Sequence, residues 1–81
     1  MKLGAWVHVQ WIDSTAHYRW VTVADLGSGP DPCESIGWLV RDEKDFITVA
    51  GHRSPGTDSF TGAITIPRAA VRSIKKIGGK H

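Results

Sequence analysis

The chain has 81 residues, a formal net charge of +2 and a single cysteine. This length allows one domain with a core near the lower limit for independent stability. One cysteine excludes an internal disulfide, and no apolar run approaches the roughly 20 residues that span a bilayer, so we expect a cytoplasmic protein with no membrane partner.

Apolar and polar residues alternate with period two along most of the chain, which predicts a mainly β fold. The segments between the alternating runs are rich in charged residues, glycine or proline, as expected for turns, and residues 41–45 and 51–59 are examples. Six segments are predicted to be strands: Trp6–Trp11, Tyr18–Ala24, Ser35–Arg41, Phe46–Gly51, Phe60–Ile66 and Val71–Ile77.

The end of the chain allows two interpretations. A 3-10 turn over Pro67–Ala70 followed by a strand over Val71–Ile77 fits the residues, and so does one short helix that begins near Pro67. We favour the turn and strand, because one short helix packs poorly on five short strands. The predicted organisation is a single domain over residues 1–77 with a disordered tail at 78–81.

The segment Ile66-Pro67-Arg68-Ala69-Ala70-Val71-Arg72-Ser73-Ile74 resembles the closing turn and last strand of Sm-like and SH3-like small barrels. The resemblance implies a small antiparallel barrel of five to six strands. The Asp-x-apolar-Asn loop that builds the uridine pocket of Sm proteins is not found in this sequence. The Ile36–Val40 strand and the tryptophan-rich start are also similar to small phage-encoded proteins, which implies the cytoplasm of a host cell.

Four tryptophans divide between the two faces of the predicted strands. Trp11 alternates in phase with Val7 and Val9, and Trp38 is in phase with Ile36 and Val40, so both are predicted to lie in the core.

The other two tryptophans are candidates for a surface role. Trp6 shares a face with His8 and Gln10, and Trp20 shares one with Tyr18 and Thr22. An exposed ring beside polar groups can stack a nucleobase or become buried between subunits.

The stretch 51–59 is predicted to be a loop that could hold an anion, because it combines an imidazole, a guanidinium, hydroxyls and glycines. An ordinary polar hairpin loop is the alternative. Arg68 and Arg72 could line one rim together with Arg53. The predicted ligand-binding residues are Trp6, His8, Trp20, His52, Arg53, Ser54, Arg68 and Arg72.

Catalytic and metal-binding motifs are missing from the sequence. The histidines and Cys33 show no metal-ligand spacing, and Asp31 and Glu34 near Cys33 disfavour a reactive thiolate. We therefore predict a protein that is not an enzyme and uses no cofactor or metal; a small hydrolase built on His52 or Cys33 is the weakest alternative.

The predicted function is a self-associating, non-enzymatic barrel that holds an anionic small molecule or RNA. The resemblance to phage proteins suggests one version, in which the protein sequesters a nucleotide immune signal. The alternative is an SH3-like module that binds a peptide or a host protein through aromatic residues.

Overall fold

The computed structural model describes residues 1–13, 20–27 and 29–78, without the side chain of Asp25. Within these residues the fold is mainly β, with antiparallel strands in a single sheet in the order β4-β3-β2-β1-β5. The strands are β1 (Trp6–Asp13), β2 (Asp31–Asp42), β3 (Phe46–Ser54), β4 (Ser59–Pro67) and β5 (Val71–Lys76). Two 3-10 segments, Val23–Leu26 and Arg68–Ala70, complete the regular structure.

The long strand β2 joins the two halves of the sheet. Its first part pairs with β1 from Asp31 to Trp38, and its last part pairs with β3 from Trp38 to Asp42. Gly37 lies at this change of partner, where a Cβ atom would be 2.3 Å from the Ala50 carbonyl oxygen. Only glycine therefore allows β3 to approach β2 this closely.

The core is small, and its main cluster lies on one face of the sheet, formed by Val7, Val9, Leu39, Ile47, Val49 and Ile66. Alternation on β1 buries Val7 and Val9, as the sequence predicts. The buried apolar residues are Val7, Val9, Leu39, Ile47, Val49, Ala50 and Ile66. Thr48 is buried among them and shares a 2.8 Å hydrogen bond with Thr65 on β4, so its hydroxyl is satisfied.

The sheet is open, which corrects the prediction of a closed barrel. Closure requires the two edge strands to pair. Here β4 pairs with β3 and β5 pairs with β1, so the outer edges of β4 and β5 have no partner strand in the described part of the chain. The prediction of an antiparallel, mainly β fold with a 3-10 turn before the last strand is confirmed.

The predicted strand Tyr18–Ala24 is wrong over the residues that the structure describes. Trp20 to Thr22 form no strand and Val23–Leu26 is a 3-10 segment, while Tyr18 and Arg19 lie outside the described residues. Trp20 is 103% exposed. Its aromatic and β-branched surroundings favour a strand only where a neighbouring surface exists to pack against.

Two boundaries also differ from the prediction. The segment 51–59 is not one loop, because β3 continues to Ser54 and β4 starts at Ser59. A hairpin that continues its ladder satisfies more backbone groups than an open loop would. Of the predicted tail, residues 79–81 lie outside the described residues, as do residues 14–17 of the first connection. No helix in the described ranges has the length and apolar character needed to cross a membrane.

Candidate functional site

A surface groove of about 530 Å³ lies where the N-terminal segment 1–5 passes the start of β1 and the end of β5. Its lining residues are Met1, Lys2, Leu3, Gly4, Ala5, Trp6, Arg53, Lys76 and Ile77. A pocket of about 260 Å³ adjoins it and shares Leu3, Gly4 and Arg53. The pocket is also lined by Trp38, Leu39, Val40, Asp58 and Phe60. We call the groove and the pocket together the cleft.

Backbone hydrogen bonds position the walls of the cleft. The N–H of Gly4 donates to the Leu39 carbonyl at 2.7 Å, and the N–H of Leu39 donates to the Ala5 carbonyl at 2.8 Å. On the other side, the N–H of Ile77 donates to the Trp6 carbonyl at 2.8 Å. These bonds fix the N-terminal segment and the end of β5 against the sheet, so the groove has backbone walls that are held on both sides.

Trp6 is the aromatic residue among those that line the groove. It lies opposite Trp38 in the β1–β2 register, and the two rings make an edge contact with centroids 4.7 Å apart and an interplanar angle of 69°. This contact fixes the indole of Trp6 while leaving 37% of the residue exposed. The prediction of Trp6 as a surface ring is confirmed.

The same register corrects the placement of Trp38. The sequence predicts it in the core, but it is half-buried against Trp6. Its neighbour in phase, Ile36, is 55% exposed. Paired residues of adjacent strands point to the same side of the sheet, so the pairing with Trp6 places Trp38 on the face opposite Val7 and Val9. Trp11 packs against the core as predicted, and its indole N–H donates to Ser35 Oγ at 3.0 Å.

Three basic side chains from distant parts of the chain line the groove: Lys2, Arg53 and Lys76. Arg53 lies opposite Phe60 near the end of β3, and Lys76 lies opposite Val7 at the end of β5. None of the three forms an ion pair with a described carboxylate. Asp58 is the one acidic residue in the lining, and it belongs to the pocket. The cleft therefore carries an excess of positive charge.

Arg68 and Arg72 do not join Arg53 in a common rim. Arg68 follows Pro67, which pairs with Phe46 at the first residue of β3, whereas Arg53 is near the last. At a rise of about 3.3 Å per residue the two ends of β3 are separated by over 20 Å. Arg72 belongs to the start of β5, and its guanidinium donates to the Ala69 carbonyl at 3.4 Å.

Arg68 is part of a structural ion cluster outside the cleft. Its guanidinium donates to Asp42 Oδ1 and to the Glu43 carbonyl, the latter at 2.7 Å. The Met1 ammonium lies 3.3 Å from the other oxygen of Asp42. The hydrogen bond from Arg68 lowers the pKa of Asp42 below its usual value, and the Met1 ammonium adds to this effect while burial opposes it. Arg68 is therefore occupied in joining the 3-10 turn to the β2–β3 hairpin.

The remaining predicted residues lie outside the cleft. His8 Nε2 is 2.9 Å from Glu34 Oε1 on the outer face of the sheet. His52 lies over Gly62 of β4, and Ser54 Oγ is 3.0 Å from Thr57 Oγ1 within the hairpin turn. Trp20 is exposed in the segment that precedes Val23–Leu26. Of the eight predicted ligand-binding residues, the structure brings Trp6 and Arg53 together.

Lys2 and Lys76 were missed as site residues by the sequence analysis. Lys2 precedes the first predicted strand, and Lys76 lies in the last predicted strand with no motif around it. Their position depends on the antiparallel β1–β5 register and on the path of the N-terminal segment. Pairing the apolar residues of β1 with those of β5, Val9 with Ile74, is the signal that would place Lys76 opposite Val7, at the end of the sheet where the groove lies.

The cleft lining is chemically suited to holding a ligand. It contains hydrophobic, aromatic and basic side chains and one carboxylate, without a histidine, cysteine, serine, threonine or tyrosine. Among the described residues, no group of three or more metal-ligating side chains is close enough to hold an ion. The thiol of Cys33 contacts the Asp31 carbonyl at 3.7 Å and is not among the lining residues.

Comparisons with protein-family models, curated proteins and solved structures found no match to this chain.

Proposed function

We propose that the protein is a non-enzymatic binding module that holds an anionic, nucleotide-like ligand in the cleft. One observation carries this proposal: Lys2, Arg53 and Lys76 line a groove that is also lined by Trp6, a partly exposed residue whose ring contacts Trp38. Cations and an aromatic surface within one concavity match the two chemical parts of a nucleotide.

The basic residues would bind the phosphate groups. Arg53 offers a planar guanidinium that can donate two parallel hydrogen bonds to phosphate oxygens, and it forms no ion pair with a described carboxylate. Lys2 and Lys76, which line the same groove, would add two point charges. A concave surface lined by charges of one sign concentrates an anion more strongly than a flat one.

The aromatic residues would bind the base. Stacking of a base on an aromatic ring is worth about 1–3 kcal/mol. The contact with Trp38 fixes the Trp6 ring before the ligand arrives, which reduces the entropy lost on binding. The adjoining pocket, with Trp38 and Phe60 in its lining, offers a second apolar surface.

The ligand would be retained and released without chemical change. Apart from the cationic groups and the Asp58 carboxylate, the described lining residues supply no hydroxyl, thiol or imidazole that could attack the ligand. Sequestration of a nucleotide immune signal by a self-associating protein in a host cytoplasm is the specific biological role that we propose. Native mass spectrometry followed by denaturation should recover an intact ligand, and recovery of a hydrolysed product would contradict a purely binding role.

Isothermal titration with each of the four ribonucleoside triphosphates and with tripolyphosphate tests the proposal. We expect at least one triphosphate to bind more tightly than tripolyphosphate, and its affinity to fall steeply between 50 and 300 mM salt. Lys76→Ala should weaken binding by about 10- to 150-fold, in line with the loss of a charged hydrogen bond. Lys75→Ala is the matched control. Lys75 comes directly before Lys76 on β5, so its side chain points to the other side of the strand, and it does not line the cleft.

A peptide-binding module remains the second candidate because Trp6 and Phe60, both exposed, line the cleft together with Leu3. An aromatic peptide groove depends little on ionic strength. Binding of a peptide that is insensitive to salt and unaffected by Lys76→Ala, with no binding of triphosphates, would favour this candidate over the first.

A further inference from the structure

We propose that the outer edge of β4 pairs in an antiparallel manner with β4 of a second copy of this chain, so that one sheet continues across a two-fold axis. This inference rests on the self-association in the proposed function and names the surface that carries it. It does not require a ligand.

The first argument is the absence of charge along β4. An edge strand presents unpaired N–H and C=O groups, and proteins usually protect such an edge with charged side chains, above all lysine. From Ser59 to Pro67 there is no Asp, Glu, Lys or Arg. The opposite edge strand β5 has Arg72, Lys75 and Lys76 among its six residues. The charged side chains expected of a free edge are present on β5 and missing on β4, whose one protective residue is the terminal Pro67.

Charge also selects the pair of edges. Two β5 edges would bring six cations together, which disfavours their association. Two β4 edges bring together uncharged strands, and an antiparallel arrangement lets each strand offer the same surface to the other.

The second argument is a pair of incompletely buried side chains on β4. Phe60, Ile64 and Ile66 share one face because they are separated by even numbers of residues. Ile66 is fully buried in the core, but Phe60 and Ile64 are 37% and 38% exposed. The core that stabilises the isolated chain is small, so further apolar burial at this edge would add to its stability.

A two-fold axis at Gly62 brings these two side chains together. In that antiparallel register Phe60 lies opposite Ile64 of the partner subunit, and Ile64 lies opposite the partner subunit's Phe60. Aromatic residues opposite β-branched residues are favourable cross-strand pairs. Gly62 brings no side chain to the axis. Its φ is +65°, and a Cβ added at this position would lie 3.1 Å from the His52 ring, so the position favours glycine.

The interface would lie next to the cleft. Phe60 belongs both to the pairing surface and to the lining of the pocket that shares Arg53 with the groove. A second copy at β4 would therefore cover the Phe60 side of the pocket and leave Lys76, on the opposite edge strand β5, accessible.

Light scattering during size-exclusion chromatography tests the interface. The wild-type chain should elute with twice the 8.9 kDa mass of one copy at tens of micromolar. Ile64→Lys should shift it to the monomer mass, because it places a charge on the pairing surface of both copies. Ile36→Lys is the matched control: Ile36 is also an exposed isoleucine, but it lies on β2 in the interior of the sheet and should leave the dimer intact.

Cysteine cross-linking provides a test that does not depend on disrupting the fold. In a Cys33→Ser background, separate chains with Thr61→Cys and Ala63→Cys are mixed and oxidised. Pairing about Gly62 places residue 61 opposite residue 63 of the second copy, so the expected product is the mixed disulfide dimer.

The outcomes separate this inference from the proposed function. A wild-type monomer at 200 µM overturns the inference and the proposed self-association, while binding of triphosphates in the cleft is measured independently. A dimer that survives Ile64→Lys and yields no mixed disulfide overturns the β4 pairing alone, since the copies then associate through another surface. Far-UV circular dichroism shows whether each variant retains its sheet.

Discussion

At the scale of single residues, the fold depends most on positions where the backbone comes close to another strand. Gly37 is the clearest of these. An ideal Cβ at this position would lie 2.3 Å from the Ala50 carbonyl oxygen and 2.9 Å from Val49 Cγ1. Neither atom is the end of a flexible chain, so a side chain at residue 37 would push β3 away from β2.

We predict that Gly37→Ala lowers the free energy of unfolding by about 1–3 kcal/mol, the usual effect of adding volume to a packed site. Gly56→Ala is the matched control, because nothing lies within 4 Å of a Cβ at that turn position. Urea denaturation of both variants measures the difference. Equal stability of the two variants would contradict the close approach of β3 to residue 37.

Asp42 is the second residue on which the fold depends, and its contribution to the stability of the folded protein should vary with pH. Its pKa in the folded protein is lowered from 3.8, chiefly by the hydrogen bond from Arg68. A lowered pKa means that the folded state favours the charged form of the carboxyl. The stabilisation is therefore complete when the pH is above the pKa of Asp42 in the unfolded chain, and it is lost as the pH falls through the pKa of Asp42 in the folded protein.

We expect Asp42→Asn to destabilise the protein by about 1 kcal/mol at pH 7, as for a partly exposed charged hydrogen bond. Because wild-type Asp42 becomes protonated at low pH, the difference between the two proteins should decrease below pH 4. Urea denaturation at pH 7, 5 and 3 provides the comparison, and a constant difference over this range would show that the Asp42 carboxylate is not the stabilising group.

At the scale of elements, strands with a buried face could be predicted from the sequence. Alternation identified β1, β3 and β4 to within a few residues at each end, and the apolar run of β2 identified its second half. The proline before Arg68–Ala70 identified the turn that precedes β5. In each of these elements the local pattern and the tertiary contacts favour the same structure.

The segment around Trp20 shows why other parts of the fold and of the cleft could not be predicted from the sequence. Its aromatic and β-branched residues suit a strand, but the described residues 20–22 do not belong to any strand of the sheet. The prediction that Trp38 lies in the core was wrong for a related reason. Both faces of β2 are apolar near Trp38, so the sequence does not show which face carries the core until the register with β1 is known. Lys2 and Lys76 likewise reach the cleft through pairing that no local pattern encodes.

Trp20 is fully exposed and Trp11 is half-buried. Replacing each with alanine should therefore change the free energy of unfolding by different amounts. Trp20→Ala should change the free energy of unfolding by less than about 0.5 kcal/mol, because the side chain is fully exposed. Trp11→Ala should cost about 2–4 kcal/mol through lost packing on the core and an unpaired Ser35 hydroxyl. Thermal or urea denaturation of both variants measures these changes. A large loss of stability in Trp20→Ala would contradict the prediction, because it would indicate that the Trp20 side chain packs on the sheet.

At the scale of the whole molecule, the positions of the cations explain how a chain with a net charge of only +2 can attract an anion. Lys2, Arg53 and Lys76 line one groove, whereas Arg68 is paired with Asp42 and does not line it. Local charge, not total charge, determines where an anionic ligand collects. The open sheet adds a second property, a free uncharged edge on β4 that we assign to a second copy.

The central claim, that the cleft holds an anionic ligand beside Trp6, is tested most directly by the four indole N–H signals in a ¹⁵N-correlated NMR spectrum. During titration with the tightest-binding ribonucleoside triphosphate, the indole signals of Trp6 and Trp38 should shift together and saturate. Trp11, on the core side of the sheet, and Trp20, outside the cleft lining, should remain in place. Saturable shifts at Trp20 or Trp11 with none at Trp6, or no shift at any indole, would contradict the account.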